Sequence, residues 1–171
     1  MRNLNNYILN EGYDTKNFAS RGKGASIFIN KKSLIDLSFS AGSLLLGHNS
    51  KIFKNSLKGL ISKNISNIAA PNLQALEFSR TLKKVLPNYS KFIFCNSGSE
   101  SVQKALRICR AITNKKIIIN VVGSWHGSND KTLFKSDKKL RTVPISGGLS
   151  KYDKSNLKFI PYDDIDRSKK I

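Results

Sequence analysis

The chain has 171 residues, enough for one domain with a real core, and no apolar run approaches the roughly 18 residues of a membrane span. It carries 30 Lys and Arg against 11 Asp and Glu, a formal net charge of +19, which raises nucleic-acid binding as a hypothesis. The cations are dispersed, however: Lys31-Lys32, Lys83-Lys84, Lys115-Lys116, Lys138-Lys139 and Lys169-Lys170 sit at element ends and read as a solvated surface, so nucleic acid is not the expected partner. The opening MRNLNNYILNEGY has no apolar h-region, and a soluble cytoplasmic protein is expected. Cys95 and Cys109 have no further Cys or His at metal-ligand spacing, and both fall on faces expected to be buried, as small core hydrophobes in a reducing compartment. No metal site is expected.

Residues 1 to about 22 are a polar lead-in, with scattered Tyr7, Ile8, Tyr13 and Phe18 and room for a short helix. Ile27-Phe28-Ile29 and Leu34-Ile35-Asp36-Leu37 predict a hairpin about an Asn30-Lys31-Lys32-Ser33 turn. After the small apolar stretch Ala41 to Gly47, a helical period sets in at Ser50, with Ile52, Phe53, Leu57, Leu60 and Ile61 on one face as far as Lys63. A second helix is predicted from Leu73 to Leu86, stopped by Pro87-Asn88.

The most informative stretch follows. Phe92 to Cys95 predicts a buried strand, Asn96-Ser97-Gly98-Ser99 a turn, and the residues to Thr113 an amphipathic helix. Val102, Ala105, Leu106, Cys109 and Ile112 form its apolar face, with Arg107 and Arg110 turned away. Ser97-x-x-Glu100 is a capping box. A glycine in a turn that opens a helix presents free amides at the positive end of the helix dipole, which suits either a simple cap or a phosphate. Neither G-x-G-x-x-G nor G-x-x-x-x-G-K-[ST] is present, so a bound phosphate would not belong to a dinucleotide or ATP.

Lys116 to Val122 is nearly all apolar, as in a central parallel strand, and predicts a βαβ unit with the preceding strand and helix. Its end, Gly123-Ser124-Trp125-His126-Gly127-Ser128, is placed on the same sheet edge as Ser97 to Ser99, where ligands bind in open α/β sheets. An aromatic ring there could stack on a planar ring whose phosphate sits in the first loop. Residues 128 to 156 read as irregular, and Leu157 to Tyr162 as a third strand.

Together these motifs resemble the class III, pyridoxal-phosphate-dependent aminotransferases, and among them the group around glutamate-1-semialdehyde aminomutase. The resemblance rests on Arg21-Gly22-Lys23-Gly24, Leu46-Gly47-His48, Phe94-x-Asn96-Ser97-Gly98-Ser99-Glu100 with Ala105-Leu106-Arg107, Trp125-His126-Gly127, and Ile160-Pro161-Tyr162-Asp163-Asp164. It implies an α/β fold: the N-terminal part of a fold type I transferase, with an incomplete, mainly parallel large-domain sheet and a small N-terminal hairpin segment. Residues 1–47 would belong to the small domain and 48–171 would begin the cofactor-binding domain.

The resemblance further implies transamination or aminomutation between an amine or amino acid and a carbonyl compound, with pyridoxal 5'-phosphate as cofactor. Gly98 and Ser99 would hold the phosphate, with Ser97 assigned first to the cap. Trp125, where the family has Tyr or Phe, would cover the ring, and His126 would shape that loop. His48 reads as structural. The family's Schiff-base lysine is expected downstream of Ile171, so this chain alone is expected to be inactive, and the full-length protein to be a homodimer acting on a small amino or keto substrate. Two features of the aminomutase proper, an N-terminal Gly-Gly-x-Asn-Ser-Pro and a Trp before L-G-H, are absent, and the semialdehyde is not implied as substrate. A basic nucleic-acid-binding module and a degenerate non-catalytic relative stand as alternatives.

Overall fold

A computed structural model describes residues 17–65 and 70–171. The chain forms two compact units, Met1–Asn72 and Leu73–Ile171.

In the first unit, β1 (Ala19–Lys23), β2 (Ser26–Ile29) and β3 (Lys32–Ile35) form an antiparallel sheet in the order β1-β2-β3. The hairpin is tighter than expected. Ile29 pairs with Lys32, leaving only Asn30 and Lys31 in the turn, at φ 48° and 66°. Positive φ at both central residues is what a two-residue turn needs to match strand twist, so the return strand begins at Lys32 and Asp36 and Leu37 fall outside it. β1 is an addition within the polar lead-in. It carries no apolar alternation because it is largely exposed; Arg21 instead places its guanidinium 4.1 Å from the Phe28 ring centroid, a cation–π contact. The proposed short helix of the lead-in, with Tyr7, Ile8 and Tyr13, lies outside the described residues.

The sheet is fastened to the segment after it. Gly24 N donates to His48 O at 2.9 Å, and His48 N donates to Gly24 O at 2.8 Å. The Asn49 side-chain amide donates to Gly22 O at 2.6 Å. His48 Nε2 donates to Asp36 Oδ2 at 2.7 Å, while Asp36 Oδ1 accepts from Ser38 N, Ser38 Oγ and Phe39 N at 2.9, 2.7 and 3.1 Å. Two glycines are required here. A Cβ on Gly22 would stand 2.6 Å from His48 Cγ, and one on Gly47 (φ 75°) would stand 2.9 Å from Gly24 O. The R-G-K-G and L-G-H stretches thus form one clasp, with His48 as a hydrogen-bonded structural element. Beyond Asp36 the chain makes a tight turn, α1 (Phe39–Gly42), with Phe39, Ser40 and Ala41 at positive φ. Helix α2 (Lys51–Ser62) follows, capped by Ser50 Oγ, which accepts from Phe53 N at 3.1 Å.

Asp36 makes this clasp sensitive to acid. The Ser38 hydroxyl, then the His48 ring, hold its carboxyl at about 2, below the ordinary 3.8. The folded value is depressed, so the stabilisation is complete above about pH 4 and is lost as pH falls through about 2. Acid titration followed by circular dichroism is expected to show a decline in that window that Asp36→Asn removes. An unchanged profile in the variant would refute this role.

The second unit begins with α3 (Leu73–Val85) and α4 (Gly98–Thr113). The sheet pair is parallel: β4 (Ile118–Val121) on β7 (Leu157–Ile160), with Ile118 opposite Leu157 and Val121 opposite Ile160. Between them, β5 (Phe134–Ser136) and β6 (Thr142–Pro144) form an antiparallel hairpin, and a short helix, α5 (Lys151–Ser155), leads into β7. Helix α6 (Ile165–Ser168) follows. The core is Ile118, Phe134, Leu157 and Phe159, with Leu106 of α4 and Leu149 packed against it.

Four expectations are corrected here. Phe92 to Cys95 joins no ladder; β4 bonds to β7 instead, with Ile118 N donating to Asn156 O at 2.8 Å and Val122 N to Ile160 O at 2.9 Å. A strand needs a partner, and a short apolar run does not specify one. Phe94 packs its ring on Phe78, centroids 5.4 Å apart. Residues 128–156 are largely ordered: Asp137 braces the β5–β6 turn by accepting from Lys139 N, Arg141 N and Arg141 Nε at 2.9, 2.9 and 2.7 Å. Arg141 accordingly holds the Asp137 carboxyl below its ordinary range. On α4 the more sheltered stripe is Val102, Leu106 and Arg110, spaced by four, whereas Ala105, Cys109 and Ile112 are exposed. Arg110 joins it by donating from Nη2 to Lys116 O at 2.9 Å. Cys95 is half-buried and Cys109 exposed, so neither is a core residue.

Candidate functional site

The site is built on the start of α4. Ser97 is the N-cap, at extended φ −149° and ψ 159°, and its Oγ accepts from Glu100 N at 3.2 Å. Glu100 reaches one residue further back than an ideal capping box, with Oε2 accepting from Asn96 N at 2.7 Å. This fold-back draws the one acidic side chain of the first turn onto the incoming loop. The amides of Gly98 and Ser99 belong to the first turn, which has no preceding helical carbonyl to bond. A Cβ on Gly98 would meet nothing within 4 Å, so the space beside Gly98 is open.

The second loop leaves β4 and turns at Gly123 (φ 82°). Ser124 Oγ donates to Val121 O and lies 2.9 Å from His126 Nε2. Its single proton is already committed, so the network assigns the imidazole proton to Nε2, donating to Ser124. Asn129 donates from Nδ2 to His126 O at 3.3 Å, and its backbone carbonyl accepts from Thr132 N and Leu133 N, both at 3.0 Å. Trp125 is 66% exposed, with its ring open to solvent.

The two loops touch. Ser128 N donates to Ser99 Oγ at 3.0 Å, which leaves the Ser99 hydroxyl proton free for another acceptor. Gly127 makes the approach possible: at φ 81°, a Cβ there would stand 2.7 Å from Ser99 Cα and closer still to its hydroxyl. The fold therefore brings Ser97, Gly98 and Ser99 to the loop that carries Trp125 and His126. A cleft of about 360 Å³ beside this junction is bounded by Ser97, Ser99, Glu100, Gln103, Ser128 and Asn129, among others. Asn129 Oδ1 is buried with no partner among the described residues. Asn129 was not singled out in the sequence, because its role depends on tertiary bonding and no motif marks it. No group of three or more His, Cys, Asp and Glu among the described residues could hold a metal ion.

The model of the aminotransferase class-III family matches residues 8–170. The chain belongs to the class-III aminotransferase family. It is 30% identical over 157 residues to glutamate-1-semialdehyde 2,1-aminomutase of Archaeoglobus fulgidus, covering 90% of this chain and 37% of the relative. It is 32% identical over 152 residues to glutamate-1-semialdehyde 2,1-aminomutase 2 of Geobacillus thermodenitrificans, covering 87% and 35%. The chain thus spans a little over a third of these relatives' length.

Among solved structures, an omega-transaminase from Sphaerobacter thermophilus superposes with a TM-score of 0.79 at 23% identity, over 95% of this chain and 39% of that one. A glutamate-1-semialdehyde aminomutase from Pseudomonas aeruginosa PAO1 gives 0.72 at 16% identity, over 88% and 34%. The fold of this class-III chain is that of part of a fold type I transferase. Among the described residues, no helix is long and apolar enough to cross a membrane.

Proposed function

We propose that this class-III chain supplies the cofactor grip of a transaminase or aminomutase that moves an amino group between an amine or amino acid and a carbonyl compound. The observation that carries the reading is the junction of the two loops at the start of α4, fixed by Ser128 N on Ser99 Oγ at 3.0 Å. Pyridoxal phosphate, when bound, supplies the electron sink for amino transfer.

The residues present fit that group. The Gly98 and Ser99 amides stand at the positive end of α4 and suit a phosphate, with open space beside Gly98 and the Ser99 hydroxyl as a further donor. Ser97 holds the cap that orients them. Trp125 offers the ring a stacking face, and His126, through Ser124 and Asn129, fixes the loop that presents it. These residues bind and orient; the transfer step itself is assigned to none of them, and the chain alone is expected to be inactive. The reading retains residues 1–47 as small-domain part and 48–171 as the start of the cofactor-binding domain. It places the whole protein in the cytoplasm as a homodimer acting on a small amino or keto substrate.

Trp125 is the single tryptophan, so its fluorescence reports on the site directly. Titration with pyridoxamine phosphate, which has no aldehyde to react with surface lysines, is expected to quench it saturably. Pyridoxamine should bind far more weakly, and Ser99→Ala should weaken pyridoxamine phosphate about tenfold, the loss of one charge-assisted hydrogen bond. Equal binding of the two ligands would refute the phosphate grip.

A further inference from the structure

The cations that look dispersed along the sequence converge in the fold. An open groove of about 770 Å³ runs between the β5–β6 hairpin, α5, β7 and the C-terminal segment. Lys139 enters it from the hairpin, Lys151 and Lys154 from α5, Lys158 from β7, and Arg167 and Lys170 from the C-terminal segment. Among the described residues none of these six forms an ion pair; Arg141, also on the wall, is committed to Asp137 at 2.7 Å. No Asp or Glu side chain lines the groove. Six exposed cations along one channel repel one another, and a linear polyanion laid along them would relieve that repulsion and release its own condensed cations with entropic gain.

The wall also specifies what kind of polyanion. Sites for single-stranded nucleic acid combine a basic groove with aromatic faces for the bases. Here the aromatic residue on the wall is Phe159, which is 2% exposed and belongs to the core. The other apolar wall residues are aliphatic, among them Leu140, Val143 and Ile171. The geometry points to a second binding site on this protein, a groove for a linear phosphoanhydride chain without bases. It stands apart from the cofactor grip, shares no lining residue with the cleft at Ser99, and does not depend on that reading.

The test compares the 171-residue chain with two variants of equal charge change. Lys151→Glu/Lys154→Glu/Lys158→Glu alters the groove, and Lys51→Glu/Lys54→Glu/Lys58→Glu alters the exposed surface of α2. Each is titrated with long-chain inorganic polyphosphate at several salt concentrations, and with a single-stranded RNA of matched phosphate number. The groove variant is expected to bind polyphosphate at least tenfold more weakly than the α2 variant and to show a shallower salt dependence. RNA should bind the parent more weakly than polyphosphate does. Equal losses in both variants would overturn the proposal in favour of diffuse charge, and RNA binding as tight as polyphosphate would overturn it in favour of a nucleic-acid groove. If the Glu variant melts below the parent, the Gln replacements at the same three positions carry the same comparison, with the same outcomes deciding.

Discussion

Leu157→Ala is expected to destabilise the second unit by about 2–5 kcal/mol, the range for emptying a fully enclosed leucine site. Leu157 is 1% exposed and sits on β7 opposite Ile118, in a core whose other buried apolar members are Phe134 and Phe159. With so few members, the core cannot collapse around the void without moving β4 or the β5–β6 hairpin. Domains of ordinary stability have only about 5–15 kcal/mol in total, so the variant should lose much of its cooperative transition. Urea unfolding followed by far-ultraviolet circular dichroism measures this. Ile112→Ala, on the open face of α4, is the control and should stay within about 0.5 kcal/mol of the parent. Similar losses for the two would show that Leu157 is not a core anchor.

Gly127→Ala should act on both stability and the cofactor grip. The new methyl group meets Ser99 while the backbone is held at φ 81°, so crowding adds to left-handed strain, together about 2–4 kcal/mol. Gly123→Ala separates the two effects. Gly123 has nearly the same φ, 82°, but nothing within 4 Å of an added Cβ, so it should show the strain alone, about 1–2 kcal/mol. The Gly127 variant should also detach Ser128 from Ser99 and shift the Trp125 emission; the Gly123 variant should leave the Ser99 hydrogen bond in place. Identical behaviour of the two variants in unfolding and fluorescence would refute the close-approach role of Gly127.

Much of the fold is legible in the sequence. Helices α2, α3 and α4 follow from a 3.6-residue apolar period and, for α2 and α4, from Ser50 and Ser97 at their starts. The two parallel strands follow from the apolar runs at Lys116 to Val122 and Leu157 to Tyr162. The site loops were legible because capping and turn chemistry are local. What stayed hidden was non-local or too short to leave a period. β5 and β6 have three residues each and owe their order to Asp137 and to the burial of Phe134. β1 is mostly polar and becomes a strand because β2 offers it a ladder. Phe92 to Cys95 reads apolar but has no ladder to join among the described residues. Arg110 looks solvent-facing until the carbonyl of Lys116 comes within reach. The grouping of Lys139, Lys158 and Arg167 is invisible in one dimension, because it depends on a hairpin, a strand and the C-terminal turn folding to one side.

The clasp between Gly24 and His48 has a consequence for how this protein can change over generations. It closes the intervening chain into a ring held by backbone bonds that any residue could make, while the close approaches at Gly22 and Gly47 admit only glycine. The entropy of closing such a ring grows only with the logarithm of its length. Lineages can therefore lengthen, shorten or rewrite the stretch between Phe39 and Leu46 at little thermodynamic penalty, provided the two fastening points and the Ser38 contact to Asp36 stay intact. Variability is cheap in that loop and forbidden at its buckle.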